Sequence, residues 1–210
     1  MGARIPEGVL DAAARKSMMA FWEHLCADRQ LAGLPYKFET TVDGKIIMSP
    51  ASLSHASFQG EIVVALHAIA ARTGVKGKAL PECPVLTADG IKSPDVAWLS
   101  STQLKAFAGK SAAPSAPVIC IEVKSSSNSS REMDSKRALY FAAGATEVWI
   151  CDERGVMGFW NIDGKLKHSM LFQAIRSGLA IADQTLERGV SEMPVSFNVI
   201  NQVGESLNAF

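Results

Sequence analysis

The sequence predicts an α/β (α+β) domain in which short β-type runs share the chain with amphipathic helices, and three observations carry that expectation. Over residues 52–72 the apolar positions Phe58, Ile62, Leu66 and Ile69 recur at helical spacing. The continuous apolar run at 118–121 has the length and composition of a buried strand. Residues 36–50, YKFETTVDGKIIMSP, set two β-type runs around Asp43 and Gly44, residues that suit the positive φ angles of a tight hairpin.

Bulk properties narrow the class. At 210 residues the chain fits one domain with elaborations and can bury a sizeable core. Lysine plus arginine (21) balances aspartate plus glutamate (21), so no global field draws polyanions and any nucleic-acid contact must come from a local basic patch. The four cysteines, at 26, 83, 120 and 151, form no Cys-x-x-Cys pair, which argues against a zinc knuckle or a thioredoxin-like site. Free thiols in apolar stretches point to a reducing, cytoplasmic compartment. No basic-then-apolar leader and no membrane-length apolar run is present, so neither secretion nor membrane insertion is expected.

In chain order, residues 9–31 are rich in helix formers, with Met18, Phe21, Trp22 and Leu25 on one face, and Gly33 and Pro35 end them. The 36–50 hairpin follows, stopped by Pro50. Gly74 terminates the helix at 52–72. Two β-like runs, 79–86 and 94–99, come next, with the Asp89–Gly90 turn between them, and then a loop containing Lys, Ala, Ser and Pro. The central strand covers 117–123. Ser129 and Glu132 have capping-box spacing, so a helix starts near Ser130 and runs to Gly144. TEVWICD (146–152) and VMGFWNI (156–162) are a further strand pair, with Trp98, Trp149 and Trp160 expected in the core or on sheet faces. Residues 164–210 mix strand, turn and loop. The expected organisation is an N-terminal helical segment (1–35), a core (36–163) and a C-terminal extension packing on the same domain (164–210).

The central strand ends oddly. In VICIEVKSSSNSS, Glu122 and Lys124 close an apolar run, and by strand alternation both project to one side. A buried charge is costly unless it is paired or holds a metal. Asp95, directly after Pro94, opens another strand. Two carboxylates brought together make a hard oxygen site suited to Mg²⁺ or Mn²⁺. A lysine beside them can polarise an attacking water and steady charge on a phosphate. The bland alternative is a solvated ion pair at a strand end.

Pro94-Asp95 followed by Glu122-x-Lys124 resembles the core of the PD-(D/E)XK nuclease superfamily. The segments FETTVDGKIIMSPASLSHASF, SPDVAWLS, PVICIEVKSSSNSSREMDSKRALYFAAGATEVWICDE and VMGFWNIDG are more specifically similar to the Uma-two family of restriction-endonuclease-like proteins, which is common in bacteria. The resemblance spans roughly residues 36–163. It implies a restriction-endonuclease-like core, a mixed central β-sheet flanked by helices, and a metal-dependent phosphodiesterase site. By position, Asp95 and Glu122 would bind the metal and Lys124 would be the catalytic lysine. Glu39 and His55 match the family's upstream Glu and His, and Lys136 and Tyr140 its Lys-x-x-x-Tyr. Glu39 lies one residue further from the hairpin Asp-Gly than is usual in the family. Many relatives replace the lysine of Glu-x-Lys and use the later helical one, so the division of labour between Lys124 and Lys136 stays open.

Each of these residues also has an ordinary reading. His55 can be a helix-start imidazole, Glu39 a solvated strand residue, Lys136 a solvent-facing helix residue and Tyr140 a core-edge phenol. The expected function is an endonuclease acting on DNA with Mg²⁺ or Mn²⁺, with two-fold pairing into a homodimer if both strands are cut. The competing expectations are a catalytically inactive nuclease-fold binding or partner-recruiting module, and a phosphoesterase acting on a small nucleotide or RNA.

Overall fold

The computed structural model describes residues 10–50, 52–125 and 128–175. Helix α1 (Ala12–Ala27) is capped by Asp11, whose side chain accepts from the Ala14 N–H, and a short α2 (Arg29–Ala32) follows it. Strands β1 (Tyr36–Thr40) and β2 (Ile46–Pro50) form the expected antiparallel hairpin. Helix α3 (Leu53–Thr73) begins at Ser52, which accepts from the His55 N–H, and stops at Gly74 with φ of 75°.

The two β-like runs expected next are in fact four strands. β3 (Gly77–Pro81) and β6 (Val96–Ser100) pair antiparallel, whereas β4 (Val85–Thr87) and β5 (Gly90–Lys92) form a separate hairpin. Glu82, at φ of 46°, and Pro84 break the first run after Pro81, β5 falls on the expected turn between the runs, and Pro94 separates β5 from β6. The Asp89–Gly90 turn therefore closes β4 on β5 instead of joining two sheet strands. The loop expected after β6 contains a helix, α4 (Ser101–Ala106), started by a capping box between Ser100 and Gln103. Gln103 also accepts from the Val118 N–H and donates to the Ala116 carbonyl, fixing the entry to the central strand.

Strand β7 (Ile119–Val123), helix α5 (Ser130–Ala142) and strand β8 (Glu147–Cys151) form a parallel crossover, and β9 (Met157–Asn161) and β10 (Gly164–Leu166) extend the sheet antiparallel. The six-stranded order is β10-β9-β8-β7-β6-β3, mixed and flanked by helices as expected. β7 is central and buried at every position. Its alternation sorts the two faces: Ile119, Ile121 and Val123 pack with Ile62, Leu66 and Ile69 of α3, while Cys120 meets Tyr140 of α5. Trp98 and Trp149 are core residues; Trp160 is half-buried, with Arg137 over its ring at 4.9 Å. The four cysteines are free, and burial pushes the Cys83 thiol up to about 11.

Past β10, Phe172 and Ile175 join the α3-side core. The rest of the 164–210 segment, and residues 1–9, lie outside the described residues. Glu147, fully buried, holds this C-terminal stretch by accepting from the N–H groups of Met170 (2.8 Å) and Leu171 (3.1 Å) and from the Trp149 indole (2.7 Å). Among the described residues no helix is long and apolar enough to cross a membrane.

Candidate active site

The register of β6 against β7 pairs Val96 with Ile121, so Asp95 lies one residue beyond the last pair, beside Glu122. Both carboxylates are almost wholly buried, at 2% and 3% exposure. Charge at such a depth needs partners on every side.

Asp95 Oδ2 accepts from the Val123 N–H at 2.7 Å, which ties the start of β6 to the end of β7. Its Oδ1 receives the Lys37 ammonium at 2.5 Å and His55 Nε2 at 3.1 Å. Gln59, one turn along α3 from His55, donates to the Asp95 carbonyl at 2.7 Å. Burial alone would raise the Asp95 carboxyl, but the His55 hydrogen bond and the Lys37 charge outweigh it and hold the group well below the ordinary carboxylate range. The same contact raises His55 above the usual imidazole value against the effect of its own burial.

Glu122 points to the α5 face of β7. Its Oε1 accepts the Tyr140 hydroxyl at 2.5 Å and its Oε2 meets the Lys136 ammonium at 3.2 Å. Lys136 and Tyr140 stand four apart on α5 and so share a helix face. Desolvation pushes Glu122 upward, with the Lys136 and Lys37 charges offsetting part of the effect. Lys136 is raised, because the attraction of Glu122 and Glu39 exceeds its own desolvation.

Glu39 closes the network from β1. Its Oε1 accepts from Lys136 at 2.9 Å and from the Ser93 N–H at 3.0 Å. Lys37 and Glu39, two apart on the strand, share the face turned to the cluster. The arrangement thus joins three carboxylates to two lysines and a histidine, drawn from β1, α3, the turn before β6, β7 and α5.

Of the residues singled out in the sequence, Asp95, Glu122, Glu39, His55, Lys136 and Tyr140 come together. Lys124 does not: its ammonium lies 3.4 Å from Glu153 in the β8–β9 turn, with the pair largely at the surface. The expected same-face projection with Glu122 depended on strand alternation, but β7 ends at Val123 and Lys136 already occupies the space beside Glu122. Lys37 is the residue that sequence reasoning missed. Its one signal was the Lys37-x-Glu39 spacing in a strand otherwise capable of being solvated.

Among the described residues no group of three or more His, Cys, Asp or Glu side chains is arranged to hold a metal ion. The donor chemistry nonetheless fits a hard cation, since such ions are often held by one or two carboxylates and complete their shell with water and substrate phosphates. Asp95 and Glu122 are the two carboxylates that could serve as that pair.

A family model described as "Putative restriction endonuclease", Uma2, matches residues 23–176. A solved structure from Anabaena variabilis, described as "a putative nuclease belonging to DUF820", superimposes with a TM-score of 0.56 at 17% identity, covering 70% of this chain and 88% of that one. At that identity the likeness shows a shared fold. No curated protein matches the chain.

Proposed function

The chain belongs to the Uma2 family through residues 23–176, and from that premise we propose that it is a divalent-metal-dependent endonuclease hydrolysing DNA phosphodiester bonds. The observation that carries this reading is the burial of Asp95 and Glu122 side by side, among cations, where the fold would otherwise place apolar filling.

In this reading Asp95 and Glu122 hold Mg²⁺ or Mn²⁺, which would polarise a phosphate oxygen and acidify a water. The chain's own groups do the rest. Lys136, held by Glu122 and Glu39, is assigned the role of placing the attacking water and steadying the charge that grows on the phosphate. Tyr140 orients Glu122, and His55 orients Asp95. Cutting both strands calls for two such clusters, so a two-fold homodimer belongs to the proposal, as does the cytoplasm as its compartment.

A second reading, a nuclease fold kept as a binding or partner-recruiting module after its chemistry was lost, is favoured by one observation. Each carboxylate of the cluster already has a lysine counter-charge, so the network is closed without a metal. Supercoiled plasmid incubated with purified protein and Mn²⁺ separates the two. The nuclease reading expects nicking or linearisation by the wild type that disappears in Asp95→Asn and on chelation. An inert wild type, or a variant that cuts equally well, transfers the lead to the module.

A further inference from the structure

Lys37 reaches the cluster from β1, and no role in the proposed hydrolysis falls to it. Its side chain is 13% exposed, so its charge is weakly screened by water, and its ammonium rests on Asp95 Oδ1. That oxygen also takes His55 Nε2, which engages both of its lone pairs. Asp95 Oδ2 keeps one lone pair beyond the bond from the Val123 N–H. A divalent ion arriving at Oδ1 must displace a donor, and one arriving at Oδ2 meets an ammonium held a carboxylate's width away. Both routes oppose the ion through the same side chain.

We infer that Lys37 is an internal competitor of the divalent cation at Asp95, neutralising the carboxylate in the metal-free protein and weakening metal binding until its ammonium withdraws. The inference rests on the proposed metal reading of the cluster. Lys37 is the natural member to withdraw, because Lys136 is hydrogen-bonded to two carboxylates, Glu39 and Glu122, and Lys37 to Asp95 alone, with Glu122 and Glu39 attracting it only through their charge. Its flexible four-carbon stem allows the head group to move without moving the strand. It acts through Asp95 and is therefore a positioning residue. In the metal-free state it also spares the fold an uncompensated buried charge.

The test is calorimetric titration of the full chain with Mn²⁺ in the absence of nucleic acid, for wild type, Lys37→Gln, Lys37→Arg and the double variant Lys37→Gln/Asp95→Asn. Removing a unit charge beside a carboxylate changes its affinity for a cation by about tenfold or more. Lys37→Gln is expected to bind Mn²⁺ at least about tenfold tighter than wild type, by the same reasoning. Lys37→Arg keeps the charge and is expected to bind as wild type does, while the double variant loses the tightened binding. Should Lys37→Gln fail to fold, Lys37→Met takes its place, and a tightened affinity in Lys37→Arg would itself overturn the inference. Equal affinities in wild type and Lys37→Gln overturn the inference and leave the metal reading standing. Absence of Mn²⁺ binding in every form overturns the metal reading and the inference together.

Discussion

Lys124 and Lys136 are the same residue type placed in opposite electrostatic situations, and that difference is measurable. Lys136 serves two buried carboxylates, so Lys136→Met leaves Glu122 and Glu39 without their cation. Breaking a buried pair by removing one partner costs about 3–5 kcal/mol. Lys124 pairs at the surface with Glu153, where such a contact contributes about 0–1 kcal/mol. Urea denaturation is expected to show a large fall in midpoint for Lys136→Met and almost none for Lys124→Met. A second residue gives a pH-dependent outcome away from the cluster. His67 Nε2 accepts from the Ala79 N–H at 3.0 Å, and desolvation, then the Lys78 charge, lower its pKa. A histidine with a depressed folded value adds stability above its unfolded value, near 6.5, and loses it as pH falls through the folded value. Melting curves between pH 7.5 and pH 5 are thus expected to show a loss of stability that is smaller in His67→Gln.

At the scale of elements, the site depends on where the β1–β2 hairpin docks. Gly90 in the β4–β5 turn has φ of 91°, and a Cβ there would lie 2.3 Å from the Thr40 carbonyl oxygen. Thr40 in turn accepts from the Ile91 N–H and the Lys92 ammonium. The turn glycine therefore lets the small hairpin press against β1 beside Glu39. Gly90→Ala is expected to destabilise the fold by about 1–3 kcal/mol, the usual range for overpacking, and to tighten Mn²⁺ binding by displacing Lys37 from Asp95. Metal binding unchanged in a destabilised Gly90→Ala protein would show that β1 is not held by this contact. The elements themselves were legible to different degrees. The β1–β2 hairpin, α3, α5 and the β8–β9 pair carried local signals, an Asp-Gly turn, helical spacing and a capping box, that the tertiary structure keeps. The β4–β5 hairpin was obscured because its turn signal is also what would join two sheet strands. Helix α4 is six residues long, too short for apolar periodicity to show, although its Ser100-x-x-Gln103 cap stood in the sequence.

The whole molecule turns a neutral chain into a charged interior. With 21 basic and 21 acidic residues its net charge is zero, yet three carboxylates and two lysines converge within the fold. The convergence is long-range: Lys136 meets Glu39 across 97 positions of sequence. No local pattern specifies such a pairing. Asp95 and Glu122 were legible because a proline and an apolar strand frame them, and Lys136 with Tyr140 because family resemblance adds what spacing cannot. Lys37 was not, since one lysine in a strand gives no sign of which face is buried until β1 is docked. Lys124 stands one residue past the end of β7, and its ammonium pairs with Glu153 instead of the buried carboxylates. The sheet sets Asp95 and Glu122 side by side by pairing β6 antiparallel to β7, while the parallel β7–β8 crossover carries α5, with Lys136 and Tyr140, over the same strand.

In the proposed nuclease, chemistry resides on the buried carboxylates and Lys136, with Lys124 outside the cluster. Single-turnover cleavage of DNA at saturating Mn²⁺, by wild type, Glu122→Gln and Lys124→Met with folding confirmed by circular dichroism, separates these residues. Glu122→Gln is expected to cut about a hundredfold or more slowly, the scale on which preorganised electrostatic groups act, and Lys124→Met to cut at a rate close to wild type. A silent Lys124→Met beside a fully active Glu122→Gln would contradict this assignment of roles.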